Sequence, residues 1–252
     1  LIRAMILCLE IDLISPSKKP FYKNQKTYDF VAMTPTQAFN SLSELGKVKK
    51  LIVGGAYVSL SLQKSLIKAK VNAFETYGMM ETLSHIAIRT MTDPVSEFKC
   101  LPDVKVQQDE RKCLVINAPK LDVKHLITND QVELLSSTRF RLIGRIDNVI
   151  NSGGLKLHPE QIERKLSKNL SFHFFIDSIS DSLLGEKVVL VVKDDPQIEF
   201  KKLHKQIKEC TSLEPSEIPK AIICVKDFIQ TYSGKIRRKA SMDQKPQRIL
   251  NL

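Results

Sequence analysis

Apolar positions along this chain fall into short runs separated by turn residues, and the pattern changes near residue 144. Ile11 to Ile14 reads as a strand closed by Ser15-Pro16, and Asp29 to Met33 as a second strand ended by Thr34-Pro35. Thr36 to Leu45 has helical spacing and stops at Gly46, a residue that favours a helix C-terminus. Lys50 to Val53 is a buried-strand run opening into Gly54-Gly55. Leu60 to Lys70 is a helix with apolar residues at 62, 66, 67 and 69, and Val71 to Phe74 is a strand followed by a turn at Tyr77-Gly78. Alternating strand and helix predicts an α/β layer with parallel strands. Ligands of such layers sit outside the carboxyl ends of the strands, so Gly54-Gly55 and Tyr77-Gly78 are expected to face one crevice.

Residues 98–143 read as β-rich, with Cys113 to Asn117 and Gln131 to Leu135 as strands. Beyond Gly144 the pattern is that of a compact α+β unit. It has a helix at Pro159 to Ser167, strands at Ser171 to Ser180 and Lys187 to Lys193 joined through Leu184-Gly185, and an amphipathic helix at Glu199 to Cys210. A strand at Ala221 to Val225 and the loop Gln230 to Lys235 follow. Proline at the first turn supports the first of these helices. The boundary is placed at 144–147, giving units of 1–143 and 148–252, both of ordinary domain size.

Composition narrows the classes. The chain has 252 residues, 42% apolar and 27% charged, enough to bury a core and unlike a disordered tail. Its net charge of +11 admits nucleic acid, an anionic membrane surface or an anionic small substrate as partner. Residues 1–143 hold 20 Lys and Arg against 14 Asp and Glu, and residues 144–252 hold 19 against 14, so the excess is spread evenly, which weighs against nucleic acid. Five cysteines without a CxxC pair and five scattered histidines (His85, His125, His158, His173, His204) indicate neither a disulfide framework nor a zinc site, and reduced thiols fit a cytoplasmic protein. No run reaches the roughly 18–20 apolar residues of a membrane span. The first residue is Leu rather than Met, and the chain reads as a piece of a longer protein.

The stretch Gly144 to Glu163 carries the densest chemistry. Arg145 and Lys156 flank Asp147, and Gly153-Gly154 lets backbone approach a ligand, an arrangement suited to a polyphosphate. Three other pieces stand in order with it: Gly54-Gly55-Ala56, Thr76-Tyr-Gly-Met-Met-Glu-Thr82 and Thr231-Tyr-Ser-Gly-Lys-Ile236. Together the four resemble the adenylate-forming acyl-CoA ligases. The middle pieces and Leu126-Ile-Thr-Asn-Asp130 look most like the o-succinylbenzoate–CoA ligases of menaquinone synthesis. The resemblance spans essentially the whole chain but only the C-terminal part of such an enzyme, whose upstream Ser/Thr/Gly-rich phosphate loop has no counterpart in this sequence.

The resemblance implies the C-terminal part of a large α/β domain, with a parallel sheet and a β-rich subdomain, followed by a small mobile α+β domain. It implies ATP, Mg²⁺ and CoA, a small-molecule acid as substrate, no nucleic acid, and two half-reactions: formation of an acyl-adenylate, then displacement of AMP by the CoA thiol. A homodimer is compatible with it. Residue by residue, Gly54, Gly55 and Ala56 match the loop lining the nucleotide and acyl pocket. Glu75 and Gly78 flank Tyr77, which matches the ring that stacks on adenine. Glu81 matches the Mg²⁺ carboxylate, and Asp130 the carboxylate that takes the ribose hydroxyls. Arg145 matches a nucleotide-contacting arginine, Asp147 the hinge, Gly153 and Gly154 a CoA-facing turn, and Lys156 a basic residue near phosphates or CoA. Lys235 matches the lysine that bridges the acid and the α-phosphate.

Two departures stand out: Met80 occupies the place of a threonine, and Ile229 that of a proline. Asn129 replaces a glycine, and the turn there is expected to survive because Asn tolerates left-handed backbone. A non-catalytic nucleotide- or nucleic-acid-binding module is the competing reading, resting on the net charge and the missing loop.

Overall fold

A computed structural model describes residues 2–15, 17–21, 26–92, 96–170, 172–196, 198–231 and 235–252. A short helix, α1 (Ile2–Ile6), precedes the first sheet. This sheet contains β1 (Val31–Met33), β2 (Leu51–Val53), β3 (Ala73–Gly78), β4 (His85–Thr90), β5 (Phe98–Cys100), β6 (Lys105–Gln108), β7 (Cys113–Ala118), β8 (Val123–Ser136) and β9 (Arg139–Arg145). Their order is β1-β2-β3-β4-β5-β9-β8-β7-β6. The first three are parallel, joined through α2 (Pro35–Asn40) and α3 (Leu60–Lys68), and the others pair antiparallel. The sheet therefore combines the expected parallel layer with the expected β-rich part.

A second sheet holds β10 (Ile150–Ser152), β11 (Leu155–Leu157), β12 (Phe174–Asp181), β13 (Gly185–Lys193), β14 (Ala221–Val225) and β15 (Arg248–Asn251). Three helices accompany it: α4 (Pro159–Leu166), α5 (Phe200–Lys208) and α6 (Arg238–Met242). A 3₁₀ turn at Ile146–Asn148 separates the two sheets. Each sheet has its own apolar packing. Leu51, Val53 and Leu66 are fully buried around β1–β3, Phe140 and Ile116 around the antiparallel strands, and Ile162, Leu190 and Ile207 in the second unit. At about 25 cal/mol per Å² of apolar surface, such clusters supply most of the drive to fold. Among the described residues no helix is long and apolar enough to cross a membrane.

Local chemistry explains where elements begin and end. Thr34 and Gln37 form a reciprocal capping box at the start of α2, which satisfies two otherwise orphan N–H groups. The helix stops at Asn40, short of the expected Leu45, and a 3₁₀ turn at Leu45–Lys47 completes the link. The expected strand at Ile11 to Ile14 does not form: this stretch has no regular structure, and Leu13 is 80% exposed. An apolar run becomes a strand only beside a partner edge. The expected turn at Tyr77-Gly78 is instead the end of β3, with a register shift opposite His85 on β4. Asn129 lies inside β8 and does not adopt the left-handed backbone that its replacement of glycine led us to expect. The expected strand start at Ser171, and Tyr232, Ser233 and Gly234 of the expected loop, lie outside the described residues.

Candidate functional site

A cleft of about 450 Å³ opens where β1, β2 and β3 end. Thr34, Gly54, Gly55, Thr76, Gly78 and His85 are among the residues that line it. Position 78 has room for glycine alone: a Cβ there would run into the backbone of Ser84 and His85 on the neighbouring strand. That close approach keeps the cleft floor thin where β3 meets β4.

Below the cleft, Thr82 is fully buried and staples the turn after β3. Its hydroxyl accepts from the Met79 N–H at 3.0 Å and lies 2.7 Å from the Ser84 carbonyl, to which it donates. The 3₁₀ turn Met80–Thr82 therefore holds its shape and presents Glu81 to solvent beside the cleft. Sequence reading missed Thr82; the signal was a hydroxyl residue three positions after Met79, the spacing of a capping contact. Met80, standing where a threonine was expected, is 90% exposed and brings no hydroxyl.

A polar network lies next to this turn. The Tyr77 hydroxyl donates to Asp130 Oδ2 at 2.6 Å. Arg145, opposite Asp130 in the β8–β9 register, reaches Asp130 Oδ1 at 3.4 Å and Asp147 Oδ2 at 2.5 Å. The Asn129 side-chain amide donates to Asp147 at 3.1 Å. Asp130 is partly buried and fixed by its own N–H donating to Thr128 Oγ1. Burial and the Asp130 carboxylate push the Tyr77 pKa well above the usual phenol range, so this hydroxyl stays a donor. The Tyr77 ring itself packs in the core, edge-on to Phe140 at 5.3 Å and beside Phe98 at 5.8 Å.

The structure thus brings Gly54, Gly55 and Gly78 to the cleft, leaves Glu81 exposed next to the lining residue Met80, and joins Tyr77, Asp130, Arg145 and Asp147 in one network. Others are not brought there. Glu75 is buried in an ion pair with Arg89, on the face of β3 away from Thr76 and Gly78. Burial pushes the Glu75 pKa up, and the Arg89 guanidinium opposes that shift. Ala56 follows Gly55 outside the cleft wall. Gly153 and Gly154 form the turn of the β10–β11 hairpin, and Lys156 is exposed on its return strand. Lys235 is exposed, its N–H donating to Thr231 Oγ1 at 3.0 Å.

The two units touch near the cleft loop. Arg164 of α4 donates to the Leu142 carbonyl at 3.4 Å, and its charge bears on Tyr57, three residues after Gly54. Phe39 of α2 meets His173 edge-on at 5.5 Å. Among the described residues no group of three or more His, Cys, Asp and Glu side chains could hold a metal ion. Glu81 is exposed and follows Met80, which lines the cleft. A single carboxylate is within what Mg²⁺ takes, since it commonly uses one or two and completes its shell with water and substrate phosphates.

No family model matches the chain. Curated relatives do. The chain is 23% identical over 197 residues to the 2-succinylbenzoate–CoA ligase of Escherichia coli, covering 71% of this chain and 43% of the relative. It is 31% identical over 117 residues to the vibriobactin-specific 2,3-dihydroxybenzoate–AMP ligase of Vibrio cholerae, covering 45% of this chain and 21% of the relative. Among solved structures, the o-succinylbenzoate–CoA synthetase of Bacillus subtilis with its acyl-adenylate intermediate has a TM-score of 0.73 at 18% identity, over 86% of this chain and 51% of that one. ATP-bound MatB of Rhodopseudomonas palustris has a TM-score of 0.70 at 19% identity, over 84% and 50%. Those structural likenesses establish the fold, and the chain spans less than half the length of the first curated relative. The sequence relatives and the fold agree: the chain is similar to part of an adenylate-forming acyl-CoA ligase.

Proposed function

We propose that this chain is the C-terminal part of an AMP-forming acid–CoA ligase. The observation that carries the reading is the cleft at the ends of the parallel strands, with Glu81 exposed next to the lining residue Met80 and the Tyr77–Asp130–Arg145 network beside it. In this reading ATP lies over Gly54, Gly55 and Gly78, where backbone can approach closely. Asp130 exchanges part of its present hydrogen bonding for the ribose hydroxyls, and Arg145 offsets phosphate charge. Glu81 holds Mg²⁺, which supplies charge neutralisation at the phosphate oxygens. Lys235 bridges the acid carboxylate and the α-phosphate; an ammonium suits charge spread over several oxygens. After pyrophosphate leaves, the β10–β11 turn with Gly153, Gly154 and Lys156 faces CoA. The turn at 144–147, with Asp147, is the hinge between a unit at 1–143 and one at 148–252.

The acid proposed first is o-succinylbenzoate, since two relatives act on it by name. Other aryl acids come next, given the dihydroxybenzoate ligase. The test is AMP release by the protein carrying this chain, with ATP, Mg²⁺, CoA and a panel of aryl and acyl acids. AMP formed with o-succinylbenzoate and CoA is the expected result; no AMP with any acid overturns the reading.

A further inference from the structure

Lys235 is followed by Ile236, Arg237, Arg238 and Lys239. Arg237 and Lys239 are exposed, whereas Arg238, the first residue of α6, is drawn inward. Its Nη1 lies 2.7 Å from Glu163 Oε1, and its Nη2 is 3.0 Å from Glu163 Oε2 and 3.7 Å from Glu160 Oε1. It also donates to the Ile176 carbonyl and lies over the Phe175 ring at 5.6 Å. Glu163 accepts in turn from the Ile176 N–H at 2.7 Å. A two-pronged guanidinium–carboxylate contact fixes orientation as well as distance. The start of α6, three residues from Lys235, is thereby pinned to α4 and β12.

Glu160 carries the link further. Its Oε1 accepts from the Asn148 side-chain amide at 2.5 Å, and Asn148 lies in the turn between the two sheets. Its Oε2 is buried without a hydrogen-bond partner. That oxygen lies against Gly144, where a Cβ would stand 2.5 Å from it. Gly144 therefore makes room for the carboxylate at the end of β9. A buried carboxylate oxygen without a donor is unfavourable and calls for a reason.

We infer that Glu160 and Arg238 are positioning residues. Glu160 ties the turn at 146–148 to Arg238, and Arg238 sets where Lys235 stands, so rotation at the turn and delivery of Lys235 are coupled. The inference rests on the role proposed above for Lys235. Rotation about the turn moves Gly144, which belongs to β9, away from Glu160, whereas Asn148 travels with the second unit. The carboxylate then keeps its amide donor and gains water at the oxygen now left dry. Relief of that oxygen favours the rotated arrangement and gives the turn a second state.

The test uses the protein carrying this chain. Arg238→Lys keeps the charge and loses the fork. It is expected to lower ATP–pyrophosphate exchange about tenfold or more, since small misplacements of a reacting group cost up to about a hundredfold. Thioester formation from preformed acyl-adenylate changes less than about threefold. Glu160→Gln and Asn148→Ala lower exchange non-additively, as residues sharing one contact do. Equal losses in both half-reactions, unchanged exchange, or strict additivity overturn the inference. Amide hydrogen exchange separates this outcome from failure of the functional reading. Arg238→Lys and Glu160→Gln should speed exchange at the Lys235 and Arg237 amides, which donate to Thr231 and Ile229, and leave β14 protected. That change in a protein that activates no acid keeps the linkage and rejects the ligase reading; unchanged amides reject the linkage.

Discussion

The two sheets treat their polar residues differently. In the first, candidate site groups are locked: Gly78 by the backbone of Ser84 and His85, Asp130 between Tyr77 and Arg145, and Thr82 within its own turn. In the second, Lys156 and Lys235 are left in solvent, while buried Glu163 and half-buried Arg238 serve to hold elements together. The function proposed above would use this asymmetry. The nucleotide must be held still through both steps, whereas the groups specific to each step must be exchanged.

The largest expected effect concerns the locked side. Arg89→Met leaves Glu75 buried and unpaired, and losing one partner of a buried pair typically costs about 3–5 kcal/mol. Denaturant unfolding should show a loss of that size; a change under about 1 kcal/mol would mean that the pair does not anchor β3 to β4. Next, Gly78→Ala forces a methyl group against the backbone of Ser84 and His85, and overpacking of this kind costs about 1–3 kcal/mol. Binding of an ATP analogue, measured by calorimetry, should weaken with it. An unaffected midpoint together with unaffected binding would show that the cleft floor is not rigid.

The smallest effect belongs to the second side. His158, just before α4, has its Nδ1 buried without a partner, and burial lowers its pKa below 6.5. The unfolded chain therefore binds a proton more readily than the folded one. This contribution to stability is present above about pH 6.5 and is lost as pH falls through the depressed folded value. His158→Gln should flatten the fall in melting temperature between pH 7.5 and pH 5.5. A fall of unchanged steepness would place the sensitivity elsewhere.

What was legible in the sequence follows the same division. Ala221 to Val225 was found to the residue, because a continuous apolar run has one outcome in a buried sheet. The helix at 159–166 was announced by its proline, and the parallel layer by its alternation. The antiparallel additions were less visible. His85 to Thr90 pairs with β3 across a register shift that only the fold reveals, and this pairing turned the expected turn at Tyr77-Gly78 into strand. Tyr77 could be matched by motif, but its packing against Phe98 and Phe140 depends on residues more than 20 positions away. Glu160 and Arg238 were read as part of a helix start and of a basic run, since nothing local joins positions 78 residues apart.

The central claim is that the second unit supplies Lys235 to a nucleotide held by the first. The most direct measurement compares both half-reactions in Lys235→Ala of the protein carrying this chain. ATP–pyrophosphate exchange with the acid should fall by about 10²–10³, the scale of losing one preorganised charge-stabilising group. Thioester formation from preformed acyl-adenylate should stay within about threefold of the unsubstituted protein, since the role proposed for Lys235 is confined to the adenylation step. Equal losses in the two steps, or exchange that survives the substitution, would contradict the account.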